Sequence, residues 1–289
     1  MASEQTPGGR QLPPHIAAQL RSAGGETDTG GQAWAGRDLA HGHTHQFADD
    51  DGAADRALAR VLERWEVGEA DETDVVAALA DTRLFVPVFA EVSHAEITED
   101  GLVADKEADM SLVTLQAADG RKAQPVFTSD RLIGQWHKEA RPVAAQVRKI
   151  ALAAVKDGTE LLVLNPGSAQ PFVVRRPALW AVAKAETWRP SYADADVSRA
   201  VLDAALGLTG VAGAHVRPGR GANAVAPNGN PLRGGGPGPE LNVVLQLLPG
   251  LDRDRLNAVL EVFQLRIARE PALADGVDSL EITLETAQL

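Results

Sequence analysis

The stretch Met110 to Trp136, MSLVTLQAADGRKAQPVFTSDRLIGQW, narrows more than any other what this chain can fold into. An apolar run over Met110–Leu115 stops at Asp119-Gly120, a pair that permits the positive φ of a tight turn. A second run, Ala123–Phe127, follows. Thr128-Ser129-Asp130 then opens a short helix with Leu132, Ile133 and Trp136 on one face, and Ser129 is the expected cap. Strand, turn, strand, cap and helix agree with one another, the consistency of a segment that specifies one local fold. No catalytic motif accompanies them.

A length of 289 residues suggests two domains at roughly 100–200 residues each. The formal net charge of -12 argues against nucleic acid and anionic membranes as partners, because both require a basic face. The chain has no cysteine, so disulfides, thiolate nucleophiles and cysteine zinc sites are excluded. No leader-like apolar segment opens the sequence, and no run approaches the ~18 apolar residues of a membrane span. The expectation is a soluble, cytoplasmic protein. The excess of arginine over lysine, with abundant Ala and Gly, points to a GC-rich bacterial genome.

The expected fold class is α+β: two small mixed domains with mainly antiparallel sheets, preceded by a disordered acidic tail. The tail is 1–53, rich in Gly, Gln, Ser, Asp and Thr, with too little apolar surface to offset the entropy of ordering. The first domain is 54–190. A helix from Asp55 carries Leu58, Val61, Leu62 and Trp65 on one face, and a second follows the acidic start Asp71–Asp74. Leu84–Val92 is a buried strand whose Pro87, like Pro125 in the hairpin, suggests an edge, a bulge or a half-paired strand. A polar acidic excursion, Ser93–Asp109, leads into the hairpin. After it, Arg141–Val143 is extended, Ala145–Lys156 is a helix closed at Gly158, and Glu160–Leu164 and Phe172–Val174 form a hairpin around Asn165-Pro166-Gly167. Pro177 starts a helix containing Leu179 and Trp180, and Glu186–Tyr192 is a linker.

The second domain, 191–289, reads as α-β-β-α-β: helix Asp196–Leu206, strands Val211–Val216 and Leu241–Leu248, a helix capped by Asp252, and the alternating strand Leu280–Leu284. Between its first two strands, Arg217–Glu240 is dominated by Gly, Pro and Asn and is expected to be too flexible to pack.

Candidate chemistry is thin. His41, His43 and His45 alternate in HGHTH, a spacing that lets an extended segment present imidazoles to one zinc, copper or nickel ion. The same spacing also fits a solvated tail, which lacks groups to orient the ligands. Arg217, Arg220 and Arg233 lie among glycines, yet the third glycine of a dinucleotide turn is missing and no Gly-Lys-Ser/Thr occurs. Ser168 sits in a turn rather than a nucleophile elbow. Trp65, Trp136 and Trp180 read as core residues on apolar helix faces, while Trp188 in the linker is placed to join the two domains. No catalytic or cofactor-binding residue is assigned, and no cofactor is expected.

Three pieces together resemble a known family: LFVPV at Leu84–Val88; Asp105-Lys106 leading to Met110–Val113; and Pro125–Ser129 followed by Leu132 and Trp136. This pattern resembles the N-terminal domain of SseB-like proteins. Leu161–Pro166 and Arg176–Trp180 are similar to the actinobacterial form of that family. The resemblance covers about 55–185, and 191–289 is more loosely similar to the family's C-terminal unit. It implies a cytoplasmic module without catalytic activity and carries no active-site residues. The expected function is protein binding or scaffolding, with a protein partner and possible strand addition at the edges marked by Pro87 and Pro125. Self-association is left open. Two alternatives stay beside it: an enzyme with a site between the domains, and metal binding through His41, His43 and His45.

Overall fold

The computed structural model describes residues 47, 50–90, 110–117, 119–226 and 229–287. The chain divides into two compact units: Met1–Ala48 with Ala90–Ser111, and Asp49–Phe89 with Leu112–Leu289. Few residues of the first unit are described, and the described helices and strands lie almost wholly in the second. The expected tail with its histidines, and the excursion 93–109, lie almost wholly outside the described residues.

The second unit opens with α1 (Arg56–Glu66) and α2 (Glu72–Leu79). The Asp55 carboxylate accepts from Ala57 N and Leu58 N and so starts α1, which then buries Leu58 and Trp65. Asp71 and Asp74 form a reciprocal capping box at the start of α2. Next come β1 (Arg83–Ala90), β2 (Met110–Leu112), β3 (Leu115–Gln116), β4 (Lys122–Val126), α3 (Asp130–Trp136), β5 (Arg141–Gln146) and α4 (Val147–Lys156). They are followed by β6 (Leu161–Leu164), β7 (Phe172–Val174) and α5 (Arg176–Lys184), then a 3-10 turn at Ser191–Ala193. The remainder is α6 (Ala195–Ala205), β8 (Val211–Pro218), β9 (Asn223–Val225), β10 (Pro231–Arg233), β11 (Leu241–Leu247), α7 (Arg253–Ile267), α8 (Pro271–Gly276) and β12 (Leu280–Thr286).

The fold is α+β with small sheets, most of whose pairs are antiparallel. Among the described pairs, β4 with β6 and β11 with β12 are parallel. Each joins strands separated by helices, the connection a parallel pair requires. β4 lies between β3 and β6, β7 flanks β6, and β11 lies between β8 and β12. The expected Met110–Leu115 strand is broken. Only its end, β3, pairs with β4, at Leu115↔Ala123 and Gln116↔Lys122. Ser129 occupies the N-cap position, but its side chain makes no capping bond. The neighbouring Thr128 N–H donates instead to Asn165 Oδ1 at 2.9 Å.

Pro87 and Pro125 are both buried, and each sits where its strand needs no donor: Pro87 within the β1–β5 pair, Pro125 where β4 is paired on one side only. Phe85 exchanges both backbone bonds with Phe127, so its alternate neighbour Pro87 turns its bonding edge away from β5. Pro87 therefore faces Pro142 at a position where neither needs a donor. β3 reaches only as far as Ala123, so Pro125 loses no bond on that side.

Three apolar clusters hold the unit together. The largest joins Trp65, Leu79, Leu84, Val126, Leu162, Phe172 and Leu179. A second fills the space between β11 and the helices α6 and α7, around Val201, Val243, Leu245 and Phe263. The third gathers Phe85, Phe127 and Ile133, with Trp136 against them. Arg217–Glu240 is not a mobile loop. It carries the hairpin β9–β10 (Pro231↔Val225, Arg233↔Asn223), and Leu232 and Ala226 enter the largest cluster. The glycines that suggested flexibility instead allow this backbone to lie close against buried side chains.

Candidate functional site

The most concentrated ionisable chemistry in the unit is buried where the 219–240 segment meets β7, α2 and the start of β12. Its centre is Arg175, the residue between β7 and α5. Arg175 Nη2 donates to Gly236 O at 2.7 Å, and Nη1 donates to Asp278 Oδ2 at 3.3 Å and Ser279 Oγ at 3.4 Å. Its Nε lies 4.0 Å from Glu240 Oε2, too far for a hydrogen bond, and is without a hydrogen-bond partner among the described residues.

Asp278 collects donors from both sides of the cluster. Its Oδ1 accepts from Arg121 Nη1 at 2.7 Å and Arg176 N at 3.4 Å, and its backbone N–H donates to Glu240 Oε1 at 2.8 Å. Arg121 also pairs with the exposed Asp119 at 2.8 Å. Burial alone would lower the pKa of Arg121, but its bonds to Asp119 and Asp278 push it above the ordinary value. Glu72, on the first turn of α2, accepts from Tyr192 OH at 2.7 Å and Gly235 N at 3.3 Å.

Glu72, Arg175 and Glu240 are each 3% exposed. Burial raises the Glu72 carboxyl, against the Tyr192 bond and the Arg175 charge, which lower it. Burial likewise pushes Glu240 up to about 7; its bond from Asp278 N and the Arg175 charge oppose this, and the Asp278 carboxylate adds to it. Tyr192 is also raised, by burial first and then by Glu72. Three carboxylates thus face two guanidiniums, one of which is shared with a surface carboxylate.

Glycine makes the enclosure possible. A Cβ on Gly221 would strike the Arg175 guanidinium, one on Gly234 would strike the Glu72 side chain, and one on Gly235 would strike the Phe172 ring. The arrangement ties six segments together. Glu72, Arg175 and Glu240 are buried within it, while Asp278 and Ser279 also line a groove of about 330 Å³ beside α8.

The residues singled out in the sequence lie elsewhere. Arg217 and Arg220, from the glycine-rich stretch, pair with Glu285 at 3.0 Å and Glu281 at 2.7 Å on β12. Ser168 Oγ is buried without a hydrogen-bond partner among the described residues, in a small cavity of about 60 Å³ beside Trp136 and Asn165. His41, His43 and His45 are outside the described residues, and among the described ones no group of His, Asp or Glu is placed to hold a metal ion. Trp65 and Trp188 are buried in the largest cluster.

Trp180 departs from its expected core position: it is 46% exposed. Ala178, Leu179, Ala181 and Val182 are buried on α5, and at helical spacing the residue between Leu179 and Ala181 points outward. Lys184 Nζ lies 5.5 Å from the ring centre. Beside them runs a groove of about 380 Å³, lined by Pro177, Trp180, Lys184, Glu186, Ala274 and Asp275. Across α8 is a second groove of about 330 Å³ that shares Ala274 and is lined by Ile267, Leu273 and Leu280.

No single signal in the sequence announced the buried cluster. Arg175 precedes another arginine and Pro177, which reads as a polar helix start, and Glu240 closes a run of glycines and prolines. Only the fold brings them within reach of Asp278.

No curated protein and no solved structure matches the chain. Residues 58–181, less than half of the chain, match the family model described as SseB protein N-terminal domain. That span supplies Glu72, Arg121 and Arg175 to the buried cluster, while Tyr192, Glu240 and Asp278 lie beyond it. The chain is therefore SseB-like through its 58–181 segment, joined to the rest of the unit by an ionic cluster to which both parts contribute.

Proposed function

We propose that this SseB-like protein is a cytoplasmic, non-catalytic module that binds another protein, with the groove beside Trp180 as its contact. The observation that carries this reading is the exposure of Trp180, 46% of a large aromatic surface on a regular helix. Tryptophan is enriched among the residues that dominate binding energy at protein interfaces. The groove sets it beside Pro177, with Arg176, Lys184, Glu186 and Asp275 also in its lining. The matching partner is a segment with an apolar side chain for the indole and charges of both signs around it. The same reading is favoured by the burial of Glu72, Arg175 and Glu240, each 3% exposed.

Crosslinking followed by capture from a native lysate tests it, with wild type and Trp180→Ala in parallel. A partner recovered by wild type and lost by the variant, at equal thermal stability, supports the proposal. Equal recovery by both removes the groove as the contact. Recovery of no partner, while the purified protein turns over a metabolite, ends the binding reading in favour of an enzyme.

A further inference from the structure

The buried cluster is out of charge balance in a way that gives it a switching character. Glu240 sits at the N-terminal end of β11, where its carboxyl faces charged groups from each element packed around it. From the turn before α5 comes Arg175, whose Nε stops 4.0 Å short of Glu240 Oε2. From the residues before β12 come the Asp278 N–H, at 2.8 Å, and the Asp278 carboxylate, with Ser279 beside it. From the 3-10 turn comes Tyr192, whose hydroxyl is bonded to Glu72 at the start of α2. Arg121, from the β3–β4 turn, neutralises Asp278 from its far side. The nearest cation, Arg175, has both terminal nitrogens turned to Gly236, Asp278 and Ser279 rather than to Glu240. An ionised Glu240 would be a third negative charge in a dry enclosure whose cations are committed to other groups.

We infer that Glu240 is a proton-operated latch: protonated, it lets the 219–240 segment close over Arg175 and Phe172, and ionised, it loosens that segment. Loosening acts first on the 219–240 backbone, because that backbone is held by the same cluster. Gly236 O accepts from Arg175, Gly235 N donates to Glu72, and Gly219 N and Gly221 N donate to Glu240 O and Pro239 O. The surface uncovered is the apolar patch around Phe172 and Leu232, both 1% exposed when the latch is shut. Burial, which pushes the Glu240 carboxyl up to about 7, brings its titration close to neutral pH. A modest change of pH then shifts the open population.

Amide hydrogen exchange of the full chain, compared at pH 5.5 and pH 8 after correction for intrinsic rates, tests the latch. In wild type, peptides covering 219–240 are expected to lose protection at pH 8 by roughly tenfold or more, while β11 itself stays protected. Glu240→Gln, which fixes a neutral side chain of the same shape, is expected to abolish the difference. Equal protection at both pH values in wild type overturns the inference, and so does a Glu240→Gln variant that keeps the full pH dependence. If that variant does not fold, the carboxyl carbon of Glu240 is titrated by NMR in wild type. A midpoint near neutrality supports the latch, and one in the ordinary glutamate range overturns it.

Discussion

Arg175 Nη1 donates to Asp278 Oδ2 at 3.3 Å across 103 positions of sequence, with side chains 3% and 0% exposed. One residue lies inside the segment that matches the SseB N-terminal domain and the other far outside it. Removing one partner of a buried pair leaves a charge without compensation. Arg175→Ala also strips Gly236 O of its donor. The expected loss is about 3–5 kcal/mol, read from the urea midpoint. A loss below about 1 kcal/mol, the usual value for an exposed pair, would show that the joint is solvated.

Leu232 offers a test in which no charge is involved. It is 1% exposed at the centre of the β9–β10 hairpin and belongs to the same cluster as Trp65 and Phe172. Leu232→Ala is expected to cost about 2–5 kcal/mol in a single cooperative transition. If the segment were only a mobile loop, the substitution would be silent in denaturant unfolding.

That contrast shows where the sequence was legible. Period foretold most helices of the unit and Asp252 takes the capping bond expected of it, whereas Ser129 makes none and the separate helix Pro271–Gly276 was not foreseen. The Arg217–Glu240 segment misled because Gly, Pro and Asn signal both flexibility and close approach, and only the neighbours decide which applies. The resemblance to SseB-like proteins rested on strand and helix anchors, which local pattern carries well. The buried cluster rested on partners 38 to 163 positions apart, and no local pattern carries that. Trp180 was misplaced because adjacent helical residues cannot share a face, and the burial of Leu179 turns the indole out.

Glycines of like conformation should behave differently according to what surrounds them. Gly120 and Gly235 both have positive φ, 88° and 70°. A Cβ on Gly120 meets nothing within 4 Å, whereas one on Gly235 runs into the Phe172 ring. Gly120→Ala is expected to cost only the left-handed penalty, about 1–2 kcal/mol. Gly235→Ala should exceed it by roughly 1–3 kcal/mol of overpacking. Equal losses in thermal unfolding would mean that the hairpin yields freely around Phe172.

Two tryptophans separate core from surface. Trp65 is 0% exposed and packs edge-on against Phe172, with ring centres 5.0 Å apart, while Trp180 is 46% exposed. Trp65→Ala is expected to cost about 3–5 kcal/mol, and Trp180→Ala within about 0.5 kcal/mol of zero. Iodide should quench the wild-type emission in part, and Trp180→Ala should remove much of the quenchable fraction. An unchanged quenchable fraction would place Trp180 out of solvent.

Global stability should also follow the protonation of the buried carboxyls, and its direction is fixed by their shifts. Glu240 is raised from an ordinary 4.5 to about 7, chiefly by burial, and Glu72 is raised by burial as well. Between those two values the folded chain holds a proton that the unfolded chain has released, so stability falls as pH rises through the window. The contribution is complete below the unfolded value of 4.5 and lost once pH passes the folded value near 7. The urea-derived stability of wild type should therefore drop by about 1–3 kcal/mol between pH 5 and pH 8. Glu240→Gln cannot ionise at that position and should flatten most of the slope. A wild-type stability that climbs across the same interval would require carboxylates lowered by folding to dominate, and would contradict an excess of negative charge around Arg175.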